Sequence, residues 1–405
     1  MDFSIIIVLF AAEAAAIFIL WVEGLLRPAR VLVPAVIFLT AAFALRAFFM
    51  PYETLDWINF LSVWVERFRE SGGFSALAVS IGNYNVPYLY FLALFSYSDI
   101  NALYLIKLLS IIFDIVLAWA SMRLVGVCTN SVKKRIFAFI AVLLLPTVML
   151  NGSLWGQCDS IYTSFAVIGV YLALRERPAA AVAAFAVSFA FKLQAVFILP
   201  MVLGLLWTGK IKPLHLPVFP LTYFAVVLPA VLCGRPLLDT VTLYFNQAAS
   251  VGPGLNYNSP SVFALIKDAA DAAYFSKLGI AAATAFVLLF LAYLYMNRKR
   301  TGNEAILTSF LIFAVCIPFL LPHMHDRYFF IADVVSLILA VVSPRFAAVP
   351  VLMSFASLLG YHAYLRGRYL LPMSYGSAAV LLMIVILIFR MIYLMRTRKT
   401  GKTRS

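Results

Sequence analysis

Asp56 stands in Tyr52-Glu53-Thr54-Leu55-Asp56-Trp57, a short polar stretch directly after an apolar run that ends near Met50. A carboxylate at such a boundary has two uses: it caps the helix-like stretch that follows, or it acts as a general base. Lys192 and Gln194 interrupt the apolar stretch 179–206. A cation and an amide at that place suit a phosphate, although snorkelling to the interface also accommodates the lysine. Arg327 and His325 belong to His323-Met324-His325-Asp326-Arg327-Tyr328, a polar cluster between apolar runs that suits anion binding or loop capping. The i, i+2 spacing of its two histidines is poor for a helical metal pair. Trp155, Gln157 and Asp159 lie in the turn Asn151 to Ser160, where Asp159 is either a site group or a helix cap. Lys107, Ser110 and Asp114 recur at i, i+3 and i+7 on one helix face, as a groove lining or as a buried pair. Asn83, Tyr84 and Tyr88 offer amide and aromatic groups of the kind that hydrogen-bond and stack a sugar, or else form a Pro-bearing interfacial turn.

A few carboxylates opposite a few cations, at the boundary of water and hydrocarbon, suit group transfer from a lipid phosphate. Phosphate leaves as a stable anion, so the leaving group needs a cation rather than a proton donor. The attacking hydroxyl benefits from a carboxylate that takes its proton. One base and one cationic clamp therefore complete the machinery, whereas glycoside hydrolysis ordinarily needs paired carboxyls. A single displacement of this kind inverts the anomeric centre. The expected axis has Asp56 facing the acceptor and Lys192 and Arg327 behind the departing phosphate. Asp56 and Asp159 have the oxygen ligands to share a divalent cation, but nothing in their spacing indicates a metal or other cofactor.

The elements that must position these groups are membrane helices. The chain is 405 residues long, 64% hydrophobic and only 12% charged, far too apolar for one soluble domain of ordinary composition. A bilayer crossing needs about 20 apolar residues, and such runs give about 11–13 helices in an all-α polytopic bundle. The stretch 179–206 is read as two short helices meeting at Phe191-Lys192-Leu193-Gln194. The net charge of +14 would suggest nucleic acid in a soluble protein. Here about 19 of the 31 Lys and Arg fall in alternate loops, so they act as topology signals and no nucleic-acid partner is implied. The resulting arrangement is a multi-pass protein of the cell membrane with its N-terminus outside, its C-terminus cytoplasmic, and a basic tail over 396–405. The N-terminus lacks the basic region of a signal peptide, so its first apolar run is expected to be retained. Residues 1–395 form one domain, and the two long loops, about 50–102 and 234–277, face outside. The first carries an expected interfacial helix over about 57–70, with Ile58, Leu61, Val65 and Phe68 on one face. Four scattered cysteines imply neither a zinc site nor a disulfide framework.

The motifs resemble those of the GT-C superfamily of integral membrane glycosyltransferases, in particular bacterial relatives of the second mannosyltransferase of GPI-anchor synthesis. The similarity runs over most of the chain. The family's loop Asp, Trp, Gly and Tyr-Pro-Pro-Leu-Tyr-like segment are similar to Asp56, Trp64, Gly72-Gly73 and Asn83 to Tyr90. Its Trp-Gly-Gln-x-Asp-Ser turn is matched by Trp155 to Ser160, its Lys-x-Gln by Lys192 to Gln194, and its Met-His-Glu-Arg-Tyr by Met324 to Tyr328. Val86 replaces the first Pro, Asp326 stands where Glu is commoner, Asn256 to Ser261 lacks the usual Ala-Pro-Asn ending, and the first apolar span is additional. The resemblance implies a GT-C-like bundle and an inverting transfer outside the cytoplasm. It also implies a polyprenyl- or dolichyl-phosphate sugar donor, mannose among the sugars, and a glycan, glycolipid or protein acceptor. Asp56 would be the base. The alternative reading is a transporter or lipid flippase, which predicts repeated halves and midplane binding groups; the sequence has no such repeat.

Overall fold

A backbone surrounded by hydrocarbon must close its own hydrogen bonds, and the apolar runs of this chain do so as helices. The computed structural model describes residues 3–27, 29–249, 252–266 and 271–397. Most of the basic tail and parts of the second long loop, at 250–251 and 267–270, lie outside the described residues. The first half of the chain forms α1 (Phe3–Val22), α2 (Ala29–Phe49), α3 (Ser62–Glu70), α4 (Val86–Phe95), α5 (Ala102–Cys128), α6 (Val132–Leu144), α7 (Pro146–Met149) and α8 (Asp159–Leu174). There follow α9 (Pro178–Phe191), α10 (Pro200–Trp207), α11 (Val218–Leu232), α12 (Leu237–Ala249) and α13 (Ala272–Met296). The chain ends with α14 (Asn303–Leu320), α15 (Phe330–Val342), α16 (Ala348–Arg366) and α17 (Met373–Thr397).

Among the described residues, eight helices are long and apolar enough to cross a bilayer, and a ninth is the bent pair of α6 with Pro146–Trp155. The protein is thus an all-α polytopic membrane protein. Phe10, Phe18 and Trp21 of α1, Leu288 and Leu289 of α13 and Phe389 of α17 point outward, as contact with lipid requires. The sequence count of about 11–13 crossings also takes in shorter apolar helices, among them α8, α9 and α15. At 16 residues α8 is only ~24 Å long, less than the hydrocarbon thickness. These three helices share a property that their length explains. Asp159 opens α8, Lys192 directly follows α9, and Arg327 shortly precedes α15. Each of the three motifs therefore lies where a short helix stops inside the bundle, and irregular backbone is tolerated at such depth only when protein or a cavity surrounds it.

The 57–70 segment is helical, but its first turn, Trp57–Leu61, is a π-helix before α3 begins. Leu61, Trp64, Val65 and Phe68 are buried, whereas Ile58 is exposed. The wider π turn advances less per residue than an α turn, which rotates Ile58 away from the face predicted by a 3.6-residue period. The buried face joins Tyr88, Leu89 and Leu92 of α4 in a small core of its own beside the main bundle. At the far end of α5, Glu23 accepts from both Arg123 and Arg135, each at 2.7 Å.

Candidate active site

Asp56 precedes the π turn yet does not cap it, since its side chain makes no capping bond. Its carboxylate turns inward to three neutral donors. Trp155 Nε1 (2.8 Å) and Gln157 Nε2 (2.6 Å) donate to Oδ2, and the Tyr364 hydroxyl (2.7 Å) donates to Oδ1. The N–H of Trp57 is met by the Thr54 hydroxyl, which donates in turn to the Trp155 carbonyl at 3.2 Å. Trp155 and Gln157 reach Asp56 because Leu150–Trp155 is a second π turn, closed by Gly156 at φ +77°. That left-handed conformation favours glycine.

Arg327 links the two carboxylates. Its Nη1 lies 3.5 Å from Asp56 Oδ2 and its Nε 3.8 Å from Asp159 Oδ2, and its guanidinium sits 5.2 Å from the centre of the Trp155 ring. Asp159, almost wholly buried, does not cap α8 with its side chain. It accepts instead from Lys192 Nζ (2.5 Å) and Asn151 Nδ2 (2.8 Å). Asp56, Asp159, Lys192 and Arg327 thus form one contiguous network with no formal net charge. Arg327 lies directly against Asp56, because the two carboxylates both attract the one guanidinium. The same arrangement places the Arg327 guanidinium between Asp56 and Asp159.

The remaining predicted residues divide into those at this network and those that support it. The Tyr84 hydroxyl donates to Gln157 Oε1 at 3.0 Å, and its ring lies 5.7 Å from Lys192 Nζ. Trp64 and Tyr88 pack edge-on to Tyr84, while Asn83 is exposed. Gln194 lies on the 3-10 turn Leu193–Ile198, and Tyr328 packs on Phe197 and His325. Lys107 and Asp114 do not pair with each other and do not line the site; both are fully buried. Lys107 Nζ donates to the carbonyls of Phe49, Met50 and Tyr52, fixing the exit of α2 that leads to Asp56. Asp114 accepts from Arg46 at 2.9 Å and from the Ser160 hydroxyl. Seven residues is two helical turns, so each group finds a nearer partner on another element.

His323 and His325 also differ in role from the anion-binding expectation. His323 contacts the Gly254 carbonyl (2.7 Å) and the Ser276 hydroxyl (3.1 Å) and so anchors the second long loop. Residues Asn256–Tyr257 (β1) and Met324–His325 (β2) pair in parallel, joining the polar turn at 255–261 to the site. His325 stacks on Tyr257 at 4.7 Å. Burial, assisted by Arg327, lowers its pKa to about 4, so it is neutral near pH 7 and offers no positive charge to an anion.

Burial pushes Asp326 the other way, up to about 7, with Arg327 opposing and Asp56 and Asp159 adding to the rise. From pH ~4 to ~7 the folded chain therefore keeps a proton that the unfolded carboxyl has released, and this contribution to stability fades as pH rises. His325 works in the opposite sense, weakening the fold as pH falls from 6.5 to about 4. Asp326→Asn, which cannot ionise, should therefore gain roughly 2–4 kcal/mol on the parent chain as pH rises through this window. Thermal unfolding in detergent from pH 4 to 8 measures the difference; parallel curves would show that Asp326 is ionised in both states.

Arg46, Tyr361 and Tyr364 were not predicted as site residues. Arg46 carried a signal, as a lone cation inside an apolar run. Tyr364 stacks on Trp155 with ring centres 4.3 Å apart, and Tyr361 meets the same ring edge-on. Beside them runs a groove of about 790 Å³ lined by Phe48, Phe49, Tyr52, Leu154, Leu358 and Tyr361, with His362 and Arg366 also on its wall. No family model and no curated protein matches the chain.

Proposed function

We propose that the protein is an inverting glycosyltransferase that moves a sugar from a polyprenyl- or dolichyl-phosphate donor to an acceptor hydroxyl outside the cytoplasm. Mannose is the sugar that the GT-C resemblance favours. The observation that carries this reading is the partly exposed Asp56 carboxylate, held by Trp155, Gln157 and Tyr364 within one network with Lys192 and Arg327. The groove supports it, since an apolar channel with Arg366 and His362 on its wall suits an isoprenoid chain beneath a charged head.

In the proposed step the acceptor oxygen bonds to the anomeric carbon while the carbon–oxygen bond to phosphate breaks, its electron pair passing to the phosphate. The hydroxyl proton goes to Asp56. Lys192 and Arg327 offset the leaving charge. Arg327 is the more readily recruited of the two, because its contacts at 3.5 and 3.8 Å are long beside the 2.5 Å bond of Lys192. A donor phosphate that draws Arg327 away also opens the Asp56 Oδ2 side to an incoming acceptor hydroxyl. Donor binding thus prepares the base for the acceptor.

The test is transfer of labelled sugar by the purified chain in vesicles containing polyprenyl-phosphate sugars. Sugar-labelled product with release of polyprenyl phosphate is expected. Solute uptake driven by an ion gradient, without transfer from any such donor, would replace this reading with a transporter.

A further inference from the structure

Two outer helices run away from the candidate active site. α13 ends just before α14, which returns toward Arg327, and α17 begins just after α16, which bears Tyr364. Both pack on α14, and where they end a cavity of about 320 Å³ opens between them. Tyr293, Asn297 and Arg300 line it on the α13 side, and Ile392, Met395 and Arg396 on the α17 side. No carboxylate is among these lining residues. The apolar wall continues past the cavity: Leu289, one helical turn before Tyr293, and Ile388 and Val385, one and two turns before Ile392, are all exposed on the surface of the bundle.

Several other cations at this end of the bundle already have partners. Arg123 and Arg135 share Glu23, Arg390 holds Glu304, Lys134 donates to the Val342 carbonyl, and Arg298 turns back to the Tyr295 carbonyl and ring. Among the described residues the side chains of Arg300 and Arg396 make no hydrogen bond or ion pair. Topology requires only that cations collect in such loops. It does not require two of them, from segments far apart in the chain, to meet across one cavity. We propose that this cavity binds the headgroup of an anionic phospholipid in the leaflet opposite the candidate active site. The phosphate would lie between Arg300 and Arg396, whose guanidinium groups offer paired N–H donors to its oxygens. The acyl chains would follow the stripe of Leu289, Ile388 and Val385. A free phosphate would use the two cations alone, whereas a lipid uses the cations and the stripe together.

The full chain, purified in detergent, is titrated with dioleoyl phosphatidylglycerol or with dioleoyl phosphatidylcholine, and the lipid retained is counted by native mass spectrometry. About one tightly held phosphatidylglycerol per chain is expected, with phosphatidylcholine roughly tenfold weaker, and only the former should raise the unfolding midpoint. Arg300→Gln with Arg396→Gln should weaken retention of phosphatidylglycerol roughly tenfold. Both side chains are exposed and unbonded, so the fold should persist, and either single variant serves where the pair does not fold. Arg298→Gln with Lys299→Gln removes the same charge beside the cavity and should leave retention near that of the parent chain. Equal retention of the two lipids overturns the proposal. So does an equal loss in the two double variants, which would assign the effect to general surface charge. A midpoint that inorganic phosphate raises as far as phosphatidylglycerol does also overturns it, in favour of a free anion. Neither readout uses transfer activity, so the result stands apart from the glycosyltransferase reading.

Discussion

Asp56→Asn should lower sugar transfer by about 10²–10⁴-fold, the usual contribution of a positioned general base. The substitution keeps the shape of the side chain and an oxygen able to accept from Trp155 or Gln157, so the unfolding midpoint should stay close to that of the parent chain. Because Asp56 accepts rather than caps, the start of the 57–70 helix does not depend on its charge. Transfer rates and melting curves on the same preparation separate catalysis from folding. Full activity in the Asp56→Asn variant would remove Asp56 as the base while leaving the architecture untouched.

The largest effect on stability is expected at a buried ion pair of the bundle, Arg46 with Asp114. Arg46 is fully buried, donates to Asp114 through Nε (3.3 Å) and Nη2 (2.9 Å), and donates through Nη1 to the Leu143 carbonyl (2.7 Å). Arg46→Ala leaves Asp114 charged and buried with only Ser160 to serve it, a change of about 3–5 kcal/mol. The double variant Arg46→Met with Asp114→Leu should recover most of that loss, since two apolar groups leave no orphaned charge. Unfolding by SDS titration in mixed micelles measures both. A single variant within about 0.5 kcal/mol of the parent chain would show that Asp114 is neutral without Arg46. Ser160 also adjoins Asp159, so the single variant is expected to disturb the site as well as the fold.

Membrane helices and the break at Lys192 were legible in the sequence because both depend on local composition: long apolar runs, and one cation in the middle of a stretch, 179–206, that is too long for one crossing. The polar motifs were legible as exceptions to that composition. The partners of those motifs were not. Lys107 and Asp114 share a helix face, and periodicity alone gives no hint that Phe49 and Arg46 on another helix are nearer. Tyr364 lies 308 positions from Asp56, and in a chain with 20 tyrosines nothing local distinguishes it. The parallel pairing of Asn256–Tyr257 with Met324–His325 was hidden for a similar reason: two residues are too short for any strand pattern. Ile58 was misplaced because a 3.6-residue period was applied to a π turn.

The two π turns, Trp57–Leu61 and Leu150–Trp155, stand on either side of Asp56 and its donors. Each is an α turn with one surplus residue, and a residue is worth about 100° of rotation around a helix axis. The constellation at Asp56 is therefore a matter of phase. Loss of one residue from Leu150–Trp155 would keep every chemical group and swing the side chains before it by a quarter turn relative to Gln157. Chemistry in this bundle is specified as much by counting as by composition, and single-residue insertions and deletions rank with substitutions as routes by which such a site is gained or erased.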